Sequence, residues 1–177
     1  DYRGRQAAIS IARDISERRR VERELREREE ILNEAQRIAN LGSFVWDLRD
    51  DSLQWSANMC EIAGLDADEI KDGLSKVVET IIHPDDRENV HNQMSKMVES
   101  GRTWAMEFRI VRPDGEVRVL RSGSRFGYGD DGKPMMCVGV HHDITEQKRA
   151  LTALEESELR FATVIENLGD AVFVHDL

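Results

Sequence analysis

The sequence is short of positive charge: 25 lysines and arginines face 35 aspartates and glutamates, a formal net charge of −10 at pH 7. Nucleic acid and an anionic membrane surface are therefore excluded as main partners, because both need a basic patch to meet phosphate groups. The basic residues that do cluster, Arg18, Arg19 and Arg20, are interleaved with glutamates from Glu17 onward. Cysteine is scarce too. Cys60 and Cys137 are the two thiols; they fit a reduced, cytoplasmic compartment and have no metal-ligand spacing. They read either as small core residues or as a thiol pair. No apolar run approaches the roughly 20 residues of a membrane span, so no direct membrane insertion is expected. A signal-peptide pattern and an initiator Met are both missing, which leads to the expectation of a segment from a longer protein.

What the sequence does have is 40% apolar and 34% charged residues in 177 positions, the balance of a soluble globular chain with highly charged surface segments. It also has an internal repeat. The run Ile9-Ser-Ile-Ala-Arg-Asp-Ile-Ser-Glu17 matches Val138-Gly-Val-His-His-Asp-Ile-Thr-Glu146, with Asp143 lying 129 positions after Asp14. The same offset pairs Arg20 with Arg149, Leu25 with Leu154, Phe44 with Phe173 and Asp47 with Asp176. Asn40-Leu41-Gly42 returns as Asn167-Leu168-Gly169, two residues out of that register. A period this long points to tandem domains rather than a solenoid. The expected division is residues 1–15 as the end of a preceding unit, 16–41 as a linker helix, 42–145 as a complete unit, 146–168 as an outgoing helix and 169–177 as the start of a following unit.

Within the complete unit, local signals predict the elements. Asp14 with Glu17, and Asp143 with Glu146, have the spacing of a capping box. Val21, Leu25, Arg28, Leu32, Ala35 and Ala39 follow coiled-coil spacing, repeated by Ala150, Leu154, Ser157, Phe161, Val164 and Leu168. The seam residues expected to face a partner helix are Val21, Leu25, Leu32, Ala35 and Ala39, then Leu154, Phe161 and Val164. Opposite charges four apart, such as Arg18/Glu22 and Arg20/Glu24, also fit a lone solvated helix, so both readings stand. Gly42 reads as the stop of the first helix. Strands are predicted at 43–48 and 52–56, short helices at 58–64 and 66–70, and a longer helix to about residue 100 with Asp85 as its N-cap. Strands follow at 103–112, 116–128 and 134–144, with Pro113-Asp114-Gly115 as a hairpin turn. Two strands, short helices, then three strands make an α+β fold: a five-stranded antiparallel sheet with short helices on one face, flanked by long coiled-coil-type helices.

These residues resemble the PAS family. Val138-Gly-Val-His-His-Asp-Ile-Thr-Glu-Gln-Lys-Arg149 is similar to the family's last strand, its Asp-Ile-Thr junction and the signalling helix beyond. Phe108-Arg-Ile-Val-Arg-Pro-Asp-Gly-Glu-Val-Arg118, Gly42-Ser-Phe-Val-Trp-Asp47 and His83-Pro-Asp-Asp86 fit the PAS fold-3 subgroup. The resemblance implies a sensory module that passes a conformational state along its flanking helices. The expected output domain is a histidine kinase, with a cyclic-dinucleotide enzyme second. Neighbouring PAS units in the same chain and a parallel homodimer are the expected partners. The implied signal junctions are Asp143, Ile144 and Thr145, and Asp14, Ile15 and Ser16 for the preceding unit.

Catalytic chemistry is not expected in this segment. His141 and His142 are adjacent on a strand and face opposite sides, so they cannot share a metal. Asp85-Asp86 reads as helix capping, and there is no phosphate loop or nucleophile elbow. Flavin-binding relatives carry a reactive Cys motif where this chain reads Glu79-Thr-Ile-Ile-His-Pro84. Haem-binding relatives place a His on the long helix, at a position that aligns by hand with Val90 rather than His91. No cofactor is therefore expected, and haem and flavin are disfavoured. The candidate pocket comprises Trp104, Met106, Phe108 and Ile110 on one strand, Leu120 and Ser122 on the next, and Cys137, Gly139 and His141 on the last. These residues either fill the core or hold an unknown small ligand with His141 as its polar contact. Three readings remain open: a signal-relaying module, a small-molecule sensor and a structural spacer for dimerisation.

Overall fold

The computed structural model describes residues 2–66, 68–70, 73–100 and 105–172, with side chains described between residues 17 and 166. A 37-residue helix, α1 (Tyr2–Ile38), leads into strand β1 (Leu41–Asp47) and strand β2 (Leu53–Trp55). Helices α2 (Ala57–Ala63) and α3 (Leu74–Thr80), a 3-10 turn (Pro84–Asp86) and helix α4 (Arg87–Ser100) follow. Strands β3 (Ala105–Val111), β4 (Val117–Tyr128) and β5 (Pro134–Asp143) complete the sheet, and helix α5 (Thr145–Val172) leaves it. The five strands are all antiparallel in the order β2-β1-β5-β4-β3. The first strand pair is thus joined to the last three through β1 and β5. That pairing sets Leu41 opposite His142, so α1 enters and α5 leaves at the same end of two neighbouring strands.

Core formation follows the period-two pattern. Phe108 and Ile110 on β3, Leu120 on β4 and Cys137 on β5 are buried under Met59, Ile62, Val77 and Val90 from the helices and Ile81 just after α3. Several expectations are corrected. Helix α1 ends at Ile38 and turns at Asn40, whose φ of 51° is left-handed, so Asn40 rather than Gly42 makes the turn. Gly42 lies in β1, where a Cβ would come within 2.6–2.8 Å of Met59, including its Cα. Its lack of a side chain lets α2 sit on the sheet. Residues 68–70 form only a turn, and the helix of this region is α3. Asp85 is not the cap of the following segment. Pro84 at the first helical position starts it two residues earlier, with His83 as the cap, and His83 Nδ1 accepts the Asp85 N–H at 3.3 Å.

The expected strand over residues 9–13 is helical. Among the described residues it has no strand to pair with, and a helix satisfies its own backbone groups. Asp14, Ile15 and Ser16 therefore lie within α1 rather than at a strand end. Helix α5 likewise runs on through Gly169 to Val172, and the expected strand beginning after it falls mostly on 173–177, outside the described residues.

Candidate functional site: an apolar cavity and the joint below it

Between the sheet and the helices lies a cavity of about 80 Å³. Met106, Phe108 and Ile110 from β3, Leu120 and Ser122 from β4, and Cys137 and His141 from β5 all line it, as the alternation predicts. Trp104 falls outside the described residues. Gly139 does not line it: the Phe44 ring, from its cross-strand partner, lies over it, and a Cβ there would meet that ring at 2.6 Å. The same alternation continues to Ser124 and Phe126, and Val90, Met94 and Met97 share one face of α4 at helical spacing. Both patterns are visible in the sequence and extend the candidate set. The wall from α3, including Leu74, Val77 and Val78, had no such signal.

His141 is the polar feature of this cavity. Its ring stacks on Phe44 at 4.7 Å and meets Phe108 edge-on at 5.6 Å. The residue retains some exposure, but its Nδ1 is enclosed and has no hydrogen-bond partner. Burial pushes its pKa down to about 4, so the imidazole is neutral at physiological pH. Burial also pushes both thiols up, so neither Cys60 nor Cys137 is a thiolate nucleophile at neutral pH. Val90 lines the cavity, while the neighbouring His91 is exposed on another side of α4. Among the described residues no group of three or more His, Cys, Asp or Glu side chains could hold a metal ion.

The His83-Pro-Asp-Asp86 motif is structural. Asp86 accepts from the Arg109 backbone N–H at 2.7 Å, from Nε at 3.0 Å and from Nη2 at 2.6 Å, clamping the start of α4 to β3. The Arg109 guanidinium holds the Asp86 carboxyl below the usual carboxylate range. Arg112 performs a similar task at the hairpin, donating from Nη1 to the Glu61 and Ile62 carbonyls at 3.1 Å and so closing the end of α2.

At the end of β5 the chain forms a tightly tied joint. Asp143 Oδ1 accepts the Thr145 N–H at 3.0 Å and the Thr145 hydroxyl, and Oδ2 accepts from Arg118 Nη1 at 2.9 Å. Thr145 Oγ1 in turn accepts the Val119 N–H at 2.9 Å, and Ile144, 1% exposed, donates its N–H to the Val119 carbonyl. Ile144, whose carbonyl accepts the Lys148 N–H, holds the cap position; the expected Asp143 cap is thus a tie to one backbone N–H, that of Thr145, and the capping box does not close, because Glu146 turns to Arg149 at 2.7 Å. Two ion-pair chains extend the tie. Lys148 reaches Glu107 on β3 at 2.8 Å, and Arg149 reaches Glu116 at 3.4 Å, which pairs with Arg118. The incoming helix meets the same point: the Asn40 carbonyl accepts the Asp143 N–H at 2.9 Å. Asn58 Nδ2 bridges the Gln36 and Leu41 carbonyls, securing the end of α1 to α2 and β1.

Both long helices carry unpartnered apolar side chains. Val21, Leu25 and Leu32 on α1, and Leu154, Phe161 and Val164 on α5, are more than half exposed, and Ala35 and Ala39 are exposed as well. No helix among the described residues is long and apolar enough to cross a membrane.

Known proteins resemble this chain in sequence and in fold. The chain is 27% identical to a probable diguanylate cyclase, DgcE, of Escherichia coli over 96% of its own length, covering 15% of that protein. It is 29% identical to a methyl sulfide methyltransferase-associated sensor of Methanosarcina acetivorans over 93% of its length, covering 16% of that protein. The chain therefore spans about one sixth of these relatives, and the match extends over the flanking helices. A solved sensory box histidine kinase/response regulator structure from Burkholderia thailandensis superposes with a TM-score of 0.58 at 26% identity, covering 73% of this chain and 95% of that one. The family model for the PAS fold matches residues 52–141, just over half of the sequence. The chain belongs to the PAS fold family and contributes a sensory, signal-transducing domain of that kind.

Proposed function

We propose that this domain relays a conformational signal from α1 to α5, and through α5 to an output domain elsewhere in the parent protein. The observation that carries the reading is the joint. Asp143, Ile144 and Thr145 join the last strand to the outgoing helix, and the Asn40 carbonyl joins the incoming helix to the same residue. A displacement of the sheet or of α1 is thereby communicated to the first turn of α5, whose Lys148 and Arg149 are held by β3 and the β3–β4 hairpin. The proposed output is a histidine kinase, as the Burkholderia relative is named, and the second reading is a diguanylate cyclase, as the Escherichia coli relative is named. Catalysis is assigned to that output and not to this domain.

The exposed seams of α1 and α5 support a parallel homodimer, and the internal repeat supports further PAS units on either side, with Asp14, Ile15 and Ser16 becoming a joint of the same kind when the sheet of the preceding unit is present. The free thiols accord with a cytoplasmic setting. The domain is proposed to work without haem or flavin, so the purified protein should show no Soret band and no flavin absorbance. The relay reading is tested by placing Asp143→Ala in the parent protein and measuring output in both signalling states. Altered output from a folded domain supports it, and wild-type levels in both states reduce the joint to a helix start, as the spacer reading holds.

A further inference from the structure

We propose that α3 is a hinged door on the core: it is fastened to the sheet beyond its C-terminal end, latched at its N-terminal end by Asp51, and opens while the sheet stays folded. This goes beyond the relay reading, which does not need such a motion and would survive its failure.

The two ends of α3 are held differently. Beyond its last turn the chain is stitched to the edge of β3. The Ile81 carbonyl accepts the Val111 N–H at 2.7 Å, the His83 N–H donates to the Arg109 carbonyl at 2.9 Å, and Ile82 bridges Ile110. Arg87 Nε adds a bond to the Ile82 carbonyl at 2.9 Å. This end is the hinge. The other end begins at Gly73, which has no side chain to cap the helix. Asp51, in the turn between β1 and β2, stands in its place. Its Oδ1 accepts the Trp46 indole N–H at 2.8 Å, which fixes the carboxylate and leaves Oδ2 facing the Ser75 N–H at 3.5 Å, the far limit of a hydrogen bond.

The latch is also a close backbone contact. A Cβ on Gly73 would come within 2.5 Å of the Asp51 carbonyl oxygen and 2.7 Å of Oδ2. Both residues are left-handed, Gly73 at φ 89° and Asp51 at φ 59°, a conformation uncommon outside glycine. The turn that carries Asp51 is braced: the Asp47 N–H donates to the Ser52 carbonyl at 2.9 Å, and Asp50 Oδ1 accepts the Ser52 N–H at 3.0 Å. The latch is therefore set on a rigid support, whereas α3 itself is weakly held. Of its seven residues Val77 is buried, Leu74 and Val78 are half-buried, and Ser75, Lys76, Glu79 and Thr80 are exposed. Lifting α3 exposes far less apolar surface than parting the strands, so its opening costs less than unfolding the domain. A helix this short does not persist away from its packing, so its amides become exchangeable when the door opens. The core gains a route to solvent in which no strand leaves its neighbour.

Native-state hydrogen exchange of the 177-residue chain reads the motion. The Val77 amide, bonded to the Gly73 carbonyl, reports α3, and the paired amides of β4 and β5 report the sheet. In the wild type Val77 should exchange at least about tenfold faster than the sheet amides, relative to their intrinsic rates. Asp51→Ala should speed Val77 a further roughly fivefold, the worth of one hydrogen bond that opening breaks. Arg87→Ala removes a bond at the hinge that survives opening, so it should speed the sheet amides and leave Val77 at its wild-type rate. Asp51→Asn keeps the shape and an acceptor, shifts Val77 less in the same direction, and serves if the Ala variant does not fold. Three results would each overturn the proposal: wild-type Val77 exchanging no faster than the sheet, Val77 unmoved by both Asp51 variants, or Arg87→Ala speeding Val77 as much as Asp51→Ala does.

Discussion

Replacing Asp143 by Ala removes three contacts at once: the Thr145 N–H at 3.0 Å, the Thr145 hydroxyl, and Arg118 Nη1 at 2.9 Å. The carboxylate is 10% exposed and Arg118 27%, so the pair is more enclosed than a surface ion pair. Loss of a carboxylate that accepts a first-turn backbone N–H costs about 1 kcal/mol. Loss of a partly buried charge-assisted bond adds about 1–2 kcal/mol, toward the low end because Arg118 keeps Glu116 at 3.0 Å. The Thr145 hydroxyl still accepts from Val119, so it is not orphaned. The expected total is about 2–3 kcal/mol, a fall in Tm of about 10 °C for a cooperative unit of this size. Asp143→Asn keeps an acceptor for Thr145 and loses the charge, so it should fall about halfway. Thermal unfolding followed by circular dichroism reads both. A change for Asp143→Ala within the roughly 0.5 kcal/mol scatter of ordinary surface substitutions would refute the joint as an energetic element.

Gly42→Ala should destabilise the domain by about 1–3 kcal/mol, because the new Cβ would press on the Met59 backbone as well as its side chain; an unchanged denaturant midpoint would show that α2 can retreat. The folded-state pKa of His141 is depressed from 6.5 to about 4, so the unfolded chain binds the extra proton between those values. Its stabilising contribution is complete above the unfolded pKa and is lost as pH falls toward 4, with a slope of at most about 1.4 kcal/mol per pH unit. His141→Phe should flatten that part of a stability–pH curve, and an unaltered slope would assign it to other groups. Sedimentation of the wild-type chain at micromolar concentration should show a dimer that Leu25→Asp or Leu154→Asp weakens; a monomer unaffected by either change would count against the seams, whose side chains are 57% and 56% exposed in one chain.

The strands were legible because each half-buried strand alternates. Met106, Phe108 and Ile110 show the period, and Leu120, Ser122 and Cys137 extend it to the neighbouring strands. His141 was identifiable for the same reason, as an inward position on the last strand. Gly139 obeys that alternation and still misses the cavity, because whether a glycine is covered depends on the Phe44 ring of another strand. Helix α3 escaped notice because seven residues with one buried side chain, Val77, give too short a periodic signal. Asp143 was recognisable as a junction from its repeat, yet its partner Arg118 lies 25 residues earlier, and Val119, which ties Ile144 and Thr145, meets the joint only through the register of β4 with β5. The strand expected at 9–13 shows the reverse limit. A strand is defined by its neighbours, and a sequence match cannot supply them.

The claim that α5 carries the signal is tested most directly by its phase. One to seven residues of helix-forming sequence would be inserted after Arg149, beyond the last ion pair that ties α5 to the sheet, and output of the parent protein measured for each insertion. A relay through paired helices predicts output that rises and falls with insertion length and returns toward the wild-type pattern at seven residues, one heptad. Output that ignores insertion length, or declines steadily with it, would contradict the relay and leave the domain a spacer.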